Sequence, residues 1–393
     1  MKLLGVLILV LSGTVFAAPD EALLGKAQGY PVCAVPSGST TATQHCLVGL
    51  LSNYDKLTAT RKVPHGTPRP LKRAAPEPAL GADAYMAANR NTGLLVLRGD
   101  TILAERYQYG RNENHRFQSF SMAKTVVAML LGVAMNENKI KSIDDRAGQY
   151  VAELKGEPYG ETSLRHLLTM SSGVAFSEYY NGRDDVSVLG RKTVGRQGPG
   201  GADSVLGYIK RSRPAGEKFV YASAETQVLG LVLRAATGRN LSDYLAEKIW
   251  QPMGAEADAT WVIDGGGYET GHMGLNATLR DWGRLGMLLA NYGELDGRQI
   301  IPAAWVKAAT HAESPHLCPG VATFRNGYGY QTWLIDNEGK FALLGVRGQA
   351  VMVDPVTRTV VVHTAVHANS TDGTARGPQF NFFFDTIRTL GSS

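Results

Sequence analysis

An α+β fold is what the sequence predicts: a mainly antiparallel sheet flanked by helices and interrupted by an inserted all-helical segment. Two observations carry that reading. Short β-rich runs lie near both ends of the 393-residue chain, and helical periodicity dominates between about residues 122 and 310. Hydrophobic residues make up 44% and charged residues 19%, which leaves ample material for a core. The formal charge of +5 is mild and its basic residues are scattered, which argues against a nucleic-acid partner.

The elements follow in order. Lys2, the apolar run Leu3 to Val15 and the small residues Val15 and Ala17 read as a secretory signal peptide over residues 1–17, cleaved near Ala17. The mature chain is then expected in the periplasm or outside the cell. The apolar run is shorter than the roughly 20 residues of a membrane span, and no later segment reaches that length. In an oxidising compartment Cys33 and Cys46 are expected to close a short loop and leave Cys318 unpaired; three free thiols are the alternative. Residues 18–80 form an N-terminal extension that ends in "VPHGTPRPLKRAAPEP" (63–78). Its five prolines exclude helix and central strand and predict an extended strap. Arg69, Lys72 and Arg73 on it are either solvated or in contact with an anionic surface.

The main domain is expected over 81–390, with a sheet part at 81–135 and 300–390 and a helical part at 136–299. "TGLLVLRGDTILAERY" reads as a hairpin, with strands Leu94–Leu97 and Ile102–Tyr107 about Gly99-Asp100. From 224 to 254 the apolar spacing of three and four predicts a helix, stopped at Gly238 and restarted at Asn240 or Ser242. "NATLRDWGRLGMLLANYG" repeats that logic. Strands return as "YGYQTWLI", "KFALLGV", "QAVMVDP" and "RTVVVHTAV", and "PQFNFFFDTIRTL" is a final helix.

"FQSFSMAKTVVAMLLGVAMNEN" (117–138) sets Ser121 and Lys124 at the head of a helix that is apolar nearly all round. With 20 serines and 15 lysines, chance supplies about one such spacing, so the pair alone is weak. A serine there sits at the positive helix end, with a lysine at i+3 on the same face. Burial lowers a lysine pKa, which is what a histidine-free activated serine requires. A helix-capping serine beside a lysine that snorkels to water is the competing reading.

"SFSMAK", "LRHLLTMSSGV", "YASAETQVLGLVL" and "GHMGLNATLRDWGRLGMLL", in that order, resemble the serine β-lactamase/penicillin-binding-protein superfamily. The chain is most similar to its class C-like members, the 6-aminohexanoate-dimer hydrolases and related esterases, over residues 85 to 390. The resemblance implies a β-lactamase/DD-peptidase-like fold with the active site between the sheet and the helical part. It implies Ser121 as nucleophile and Lys124 with Tyr221 as the groups that exchange its proton; either can be the acylation base. Ser223 stands where the family usually has asparagine, two residues after the tyrosine, and is expected at a substrate-binding position. Gly345 fits the glycine of the third motif. The N–H of Val346 then pairs with that of Ser121 as an oxyanion hole, and Leu343 stands where lysine or histidine is usual. Strand alternation points Arg347 elsewhere. On the loop "VAFSEYYNGRDDVSVLGRKTVGRQGPGG", the F-S-E-x-Y match implies Tyr180 as a substrate-closing residue.

No G-x-S-x-G elbow, H-E-x-x-H or paired C-x-x-C occurs, so neither an α/β-hydrolase nor a metal or other cofactor is expected. His166 is expected as a packed helix residue. The expected function is an exported serine hydrolase acting on a small-molecule amide or ester. A cell-wall D-alanyl peptidase or β-lactamase, and a non-catalytic sensor with the same fold, are the alternatives.

Overall fold

The computed structural model describes residues 18–34 and 43–391, so the signal-peptide reading lies outside the described residues. An eight-stranded sheet runs in the order Gly327–Tyr328, Trp333–Leu334, Phe341–Gly345, Gln349–Asp354, Thr359–Ala365, Asn91–Arg98, Thr101–Tyr107, Lys72–Arg73. All neighbours are antiparallel except the last pair, where the proline-rich strap lays Lys72 and Arg73 parallel to the edge. Arg98 pairs with Thr101, so Gly99 (φ 58°) and Asp100 form the expected two-residue turn.

Local signals set the helix ends. Gly238 (φ 67°) closes the helix Ser223–Thr237, and the Asn240 side chain accepts the Asp243 N–H to start the next. Thr278 caps Leu279–Ala290 in the same way. That helix packs on one face of the large sheet, while Ala82–Ala88 and Gly373–Gly391 cover the other. The final helix starts five residues before the expected Pro378, because Asp372 accepts the Ala375 N–H 3.0 Å away and sets the first turn upstream. The helix Met122–Asn136 is buried at thirteen of its fifteen residues. It passes so close to Trp305 that a Cβ on Gly132 would stand 2.3 Å from the indole.

Two expectations need correction. "YGYQTWLI" is not one strand but two dipeptide strands about a turn, with Gln331 at φ 52°. The buried Gln331 amide donates to the carbonyls of Leu167 (2.8 Å) and Leu168 (3.2 Å) and accepts from Thr226 Oγ1 (2.6 Å), which pins the chain inward and breaks the strand. The middle of the chain is also not all-helical. A second sheet joins Thr60–Val63, Ala259–Val262, Leu275–Ala277 and Phe117–Gln118, drawing one strand from the N-terminal extension and one from just before Ser121.

Cys33 and Cys46 are disulfide-bonded and Cys318 is free. Among the described residues, the group of potential metal ligands is Cys33, His45 and Cys46, and the disulfide occupies both thiols. Among the same residues, no helix is long and apolar enough to cross a membrane. A cross-link that closes a short loop stabilises by about 2–4 kcal/mol. The double variant Cys33→Ala/Cys46→Ala is expected to lose that much in urea unfolding. A non-reducing peptide map that joins Cys318 to either partner contradicts the pairing.

Candidate active site

The strand Phe117–Gln118 delivers the chain to Ser121 through Phe120, which adopts φ 44°, a left-handed conformation that costs a non-glycine residue about 1–3 kcal/mol. Its surroundings hold it there: the Gln118 side chain accepts the Phe120 N–H at 3.2 Å, and Ser119 Oγ donates to the Phe120 carbonyl at 2.9 Å. Ser121 is the N-cap residue of the helix, yet its hydroxyl makes no capping hydrogen bond. Instead Lys124 Nζ, on a side chain only 1% exposed, donates to Ser121 Oγ at 3.0 Å and to the His272 carbonyl at 2.7 Å. Lys124 therefore does not snorkel. Burial lowers its pKa to about 8, and the nearby Glu178 carboxylate opposes part of that shift.

The Tyr221 side chain completes the cluster. Its ring stacks on Trp333 (centroids 5.3 Å apart), and Lys124 Nζ stands 5.2 Å from its centroid. Burial and the Glu178 charge push the phenol pKa up, and a hydrogen bond with Ser121 pulls it down. The structure thus brings Ser121, Lys124 and Tyr221 together.

The loop expected over the site is held in place by a residue that sequence reasoning missed. Glu178 accepts the Tyr180 hydroxyl at 2.6 Å, the Ser223 hydroxyl at 2.8 Å and the Ser223 N–H at 2.7 Å. Burial raises its carboxyl pKa and the Lys124 ammonium lowers it. Asp184 gathers the same loop by accepting the N–H groups of Tyr179 and Tyr180, both at 2.6 Å. Tyr180 therefore lies inside the cluster. Ser223, expected at a substrate-binding position, is buried with its hydroxyl committed to Glu178 and is not open to a substrate. Glu178 was visible in F-S-E-x-Y, but a lone acid on a charged loop reads as solvated. The His272 carbonyl carries no sequence signal at all. Gln227 holds that segment, accepting the Gly271 N–H at 2.9 Å and lying 3.1 Å from His272 Nδ1.

Gly345 ends its strand against the Ser119–Ser121 turn. A Cβ there would stand 2.3 Å from the Ser119 carbonyl oxygen and 3.2 Å from Phe120 Cβ, so close approach requires glycine. Val346 follows Gly345 directly in the chain. Leu343 is fully buried in the core beneath. Strand alternation does not set the direction of Arg347, which lies past the strand's end at φ 59°; its side chain donates to the carbonyls of His367 and Ala368 at 2.9 and 2.7 Å. His166 is a half-buried helix residue away from this cluster, its ring packed at Gly216.

A fold of this kind, with a serine hydrogen-bonded to a buried lysine at the head of a buried helix, places the chain in a known class. The Beta-lactamase family model matches residues 82–379, and the chain belongs to that family, within the serine β-lactamase/penicillin-binding-protein superfamily. It is 28% identical over 306 residues to the 6-aminohexanoate-dimer hydrolase of Paenarthrobacter ureafaciens, covering 75% of this chain and 78% of that protein. In fold it is similar to a candidate 6-aminohexanoate-dimer hydrolase from Bacillus anthracis, with TM-score 0.80, 24% identity, and 91% and 97% of the two chains covered. It is also similar to a family VIII carboxylesterase, with TM-score 0.63, 16% identity, and 82% and 99% covered.

The Gly345 contact is directly testable. Gly345→Ala forces its methyl into the Ser119 carbonyl and is expected to lower stability by about 1–3 kcal/mol in thermal or urea unfolding. Unchanged stability contradicts the close approach.

Proposed function

We propose that the protein is an exported serine hydrolase that cleaves a small amide or ester through an acyl-enzyme, with residues 81–390 as its catalytic unit. The observation that carries this reading is the 3.0 Å contact of Lys124 Nζ with Ser121 Oγ, at an amine whose pKa lies at about 8. In its neutral form Lys124 has a lone pair for the Ser121 proton. Oγ then attacks the substrate carbonyl carbon, and the C=O electron pair moves onto oxygen, where the N–H groups of Ser121 and Val346 receive it. As the bond to the leaving group breaks, the Lys124–Tyr221 pair returns the proton to the departing nitrogen or oxygen. Water attacks the acyl-Ser121 ester in a second round of the same steps, and Oγ regains its proton. The raised phenol pKa keeps Tyr221 protonated near neutral pH, so it serves as relay and Lys124 as first base. Tyr180 supports a role in closing on the acyl chain from the loop, held by Glu178.

The similarity to a 6-aminohexanoate-dimer hydrolase supports an amide among the substrates. The signal-like residues 1–17 and the Cys33–Cys46 bridge support export. A cell-wall peptidase or β-lactamase would use the same machinery, but with Leu343 in the core and Arg347 tied to backbone carbonyls, neither residue supplies a cation for a substrate carboxylate. A non-catalytic sensor has no need of a desolvated lysine on its serine.

Ser121→Ala is expected to abolish ester hydrolysis and the acyl adduct seen by intact mass; wild-type turnover in that variant contradicts the reading. Lys124→Ala and Tyr221→Phe are each expected to lose about a hundredfold or more. Because the neutral amine is the base, the acylation rate rises with pH through about 8. The Glu178 charge raises that value, so Glu178→Gln moves the midpoint to lower pH, and a shift upward counts against the assignment. On specificity, a missing charge-assisted contact costs roughly 1.5–3 kcal/mol, about one to two powers of ten in affinity. Short p-nitrophenyl esters are expected to turn over well and a chromogenic cephalosporin feebly, and equal catalytic efficiency on the two overturns the substrate class.

A further inference from the structure

The N-terminal extension lies outside the matched family domain, yet it packs directly behind the nucleophile. Leu47, Val48, Leu51 and Tyr54 of the extension form one apolar cluster, and Phe120, Met273 and Val366 pack into it. Phe120 precedes Ser121, and Met273 follows His272, whose carbonyl holds Lys124. The short helix Tyr54–Leu57 lies against the strands Phe117–Gln118 and Ala259–Val262. Its Tyr54 ring meets Phe120 edge-on, with centroids 6.4 Å apart and planes at 65°. Tyr54 is itself only 7% exposed.

Polar contacts fix the extension along the whole approach to this point. Arg90 donates to Asp20 and Gln44, both at 2.7 Å, and Arg111 Nη1 donates to Ser52 Oγ at 2.7 Å. Arg116 pairs with Asp55 at 2.7 Å, one residue from Tyr54 on one side and four from Phe120 on the other. The disulfide ties Cys46, at the start of this helical run, back to Cys33. The left-handed backbone at Phe120 is a conformation that persists only where the surroundings over-determine it. Its own loop supplies two hydrogen bonds, and the Phe120 ring is held from the extension.

We propose that the N-terminal extension is a positioning element for the nucleophile, acting through the contact of the Tyr54 ring with Phe120. The inference rests on Ser121 being the nucleophile, as proposed above. The Tyr54 ring keeps Phe120 left-handed, and so sets the Ser121 hydroxyl against Lys124. A misplacement of about 1 Å at a reacting group is enough to lose a large part of the rate.

The test uses the mature full-length chain with its disulfide intact. The rate of fluorophosphonate labelling at Ser121, kcat and KM on a p-nitrophenyl ester, and the melting temperature are measured for wild type, Tyr54→Leu and Tyr54→Phe. Tyr54→Leu keeps apolar bulk but loses the ring; it is expected to stay folded at the assay temperature, label about tenfold more slowly, and lose kcat with KM within about twofold. Tyr54→Phe keeps the ring and is expected to label within about twofold of wild type. A folded Tyr54→Leu that labels at the wild-type rate overturns the inference and leaves the hydrolase reading intact. A slow Tyr54→Phe overturns it as well, by assigning the effect to the hydroxyl. A Tyr54→Leu chain that cannot fold shows the ring to be a determinant of the fold rather than of nucleophile position, and also overturns it. A wild-type chain that does not label at all overturns the hydrolase reading, and the inference falls with it.

Discussion

Removing a lysine amine from water is unfavourable unless acceptors meet it, and Lys124 is removed almost completely at the head of a buried helix. Two acceptors meet it, the Ser121 hydroxyl and the His272 carbonyl, and the face of Tyr221 lies beside them. Three segments far apart in sequence must therefore converge on one nitrogen. The small sheet aims the Ser119–Ser121 turn, and the helix Ser223–Thr237 brings Gln227, which steadies the His272 segment. The large sheet closes the arrangement where Gly345 abuts Ser119.

The electrostatics balance two opposed effects. Burial favours the neutral amine, and Glu178 favours the ammonium. Burial prevails, and the pKa falls from the ordinary lysine value to about 8. Glu178 thereby has two consequences. It limits how far the lysine is shifted, and it fastens the loop that carries Tyr180 to the helix that carries Ser223.

What was legible in the sequence was local. The Gly99-Asp100 turn, the Gly238 stop, the Asn240 start and the i, i+3 placement of Ser121 and Lys124 depend on neighbours a few residues away, and periodicity or capping chemistry reports them. Tyr221 is reachable only through resemblance, since nothing near it signals a partner a hundred residues distant. The illegible parts are contacts at long range. Thr60–Val63 pairs with Ala259–Val262, so the second sheet has no continuous sequence pattern. The break at Gln331 follows from carbonyls of Leu167 and Leu168 that the strand-like run around it does not announce. The Ser223 hydroxyl is taken by Glu178, 45 residues upstream, a contact that no local pattern announces.

The proposed chemistry turns on the state of one amine. Lysine carrying a carbon-13 label at Cε, assigned by comparison with a Lys124→Met variant, reports that state directly in an NMR titration of the folded protein. Lys124 is expected to titrate at about 8, well apart from the exposed lysines. A Lys124 midpoint at the ordinary lysine value of about 10.4 contradicts it, because the amine would then be solvated and unable to take the Ser121 proton near neutral pH.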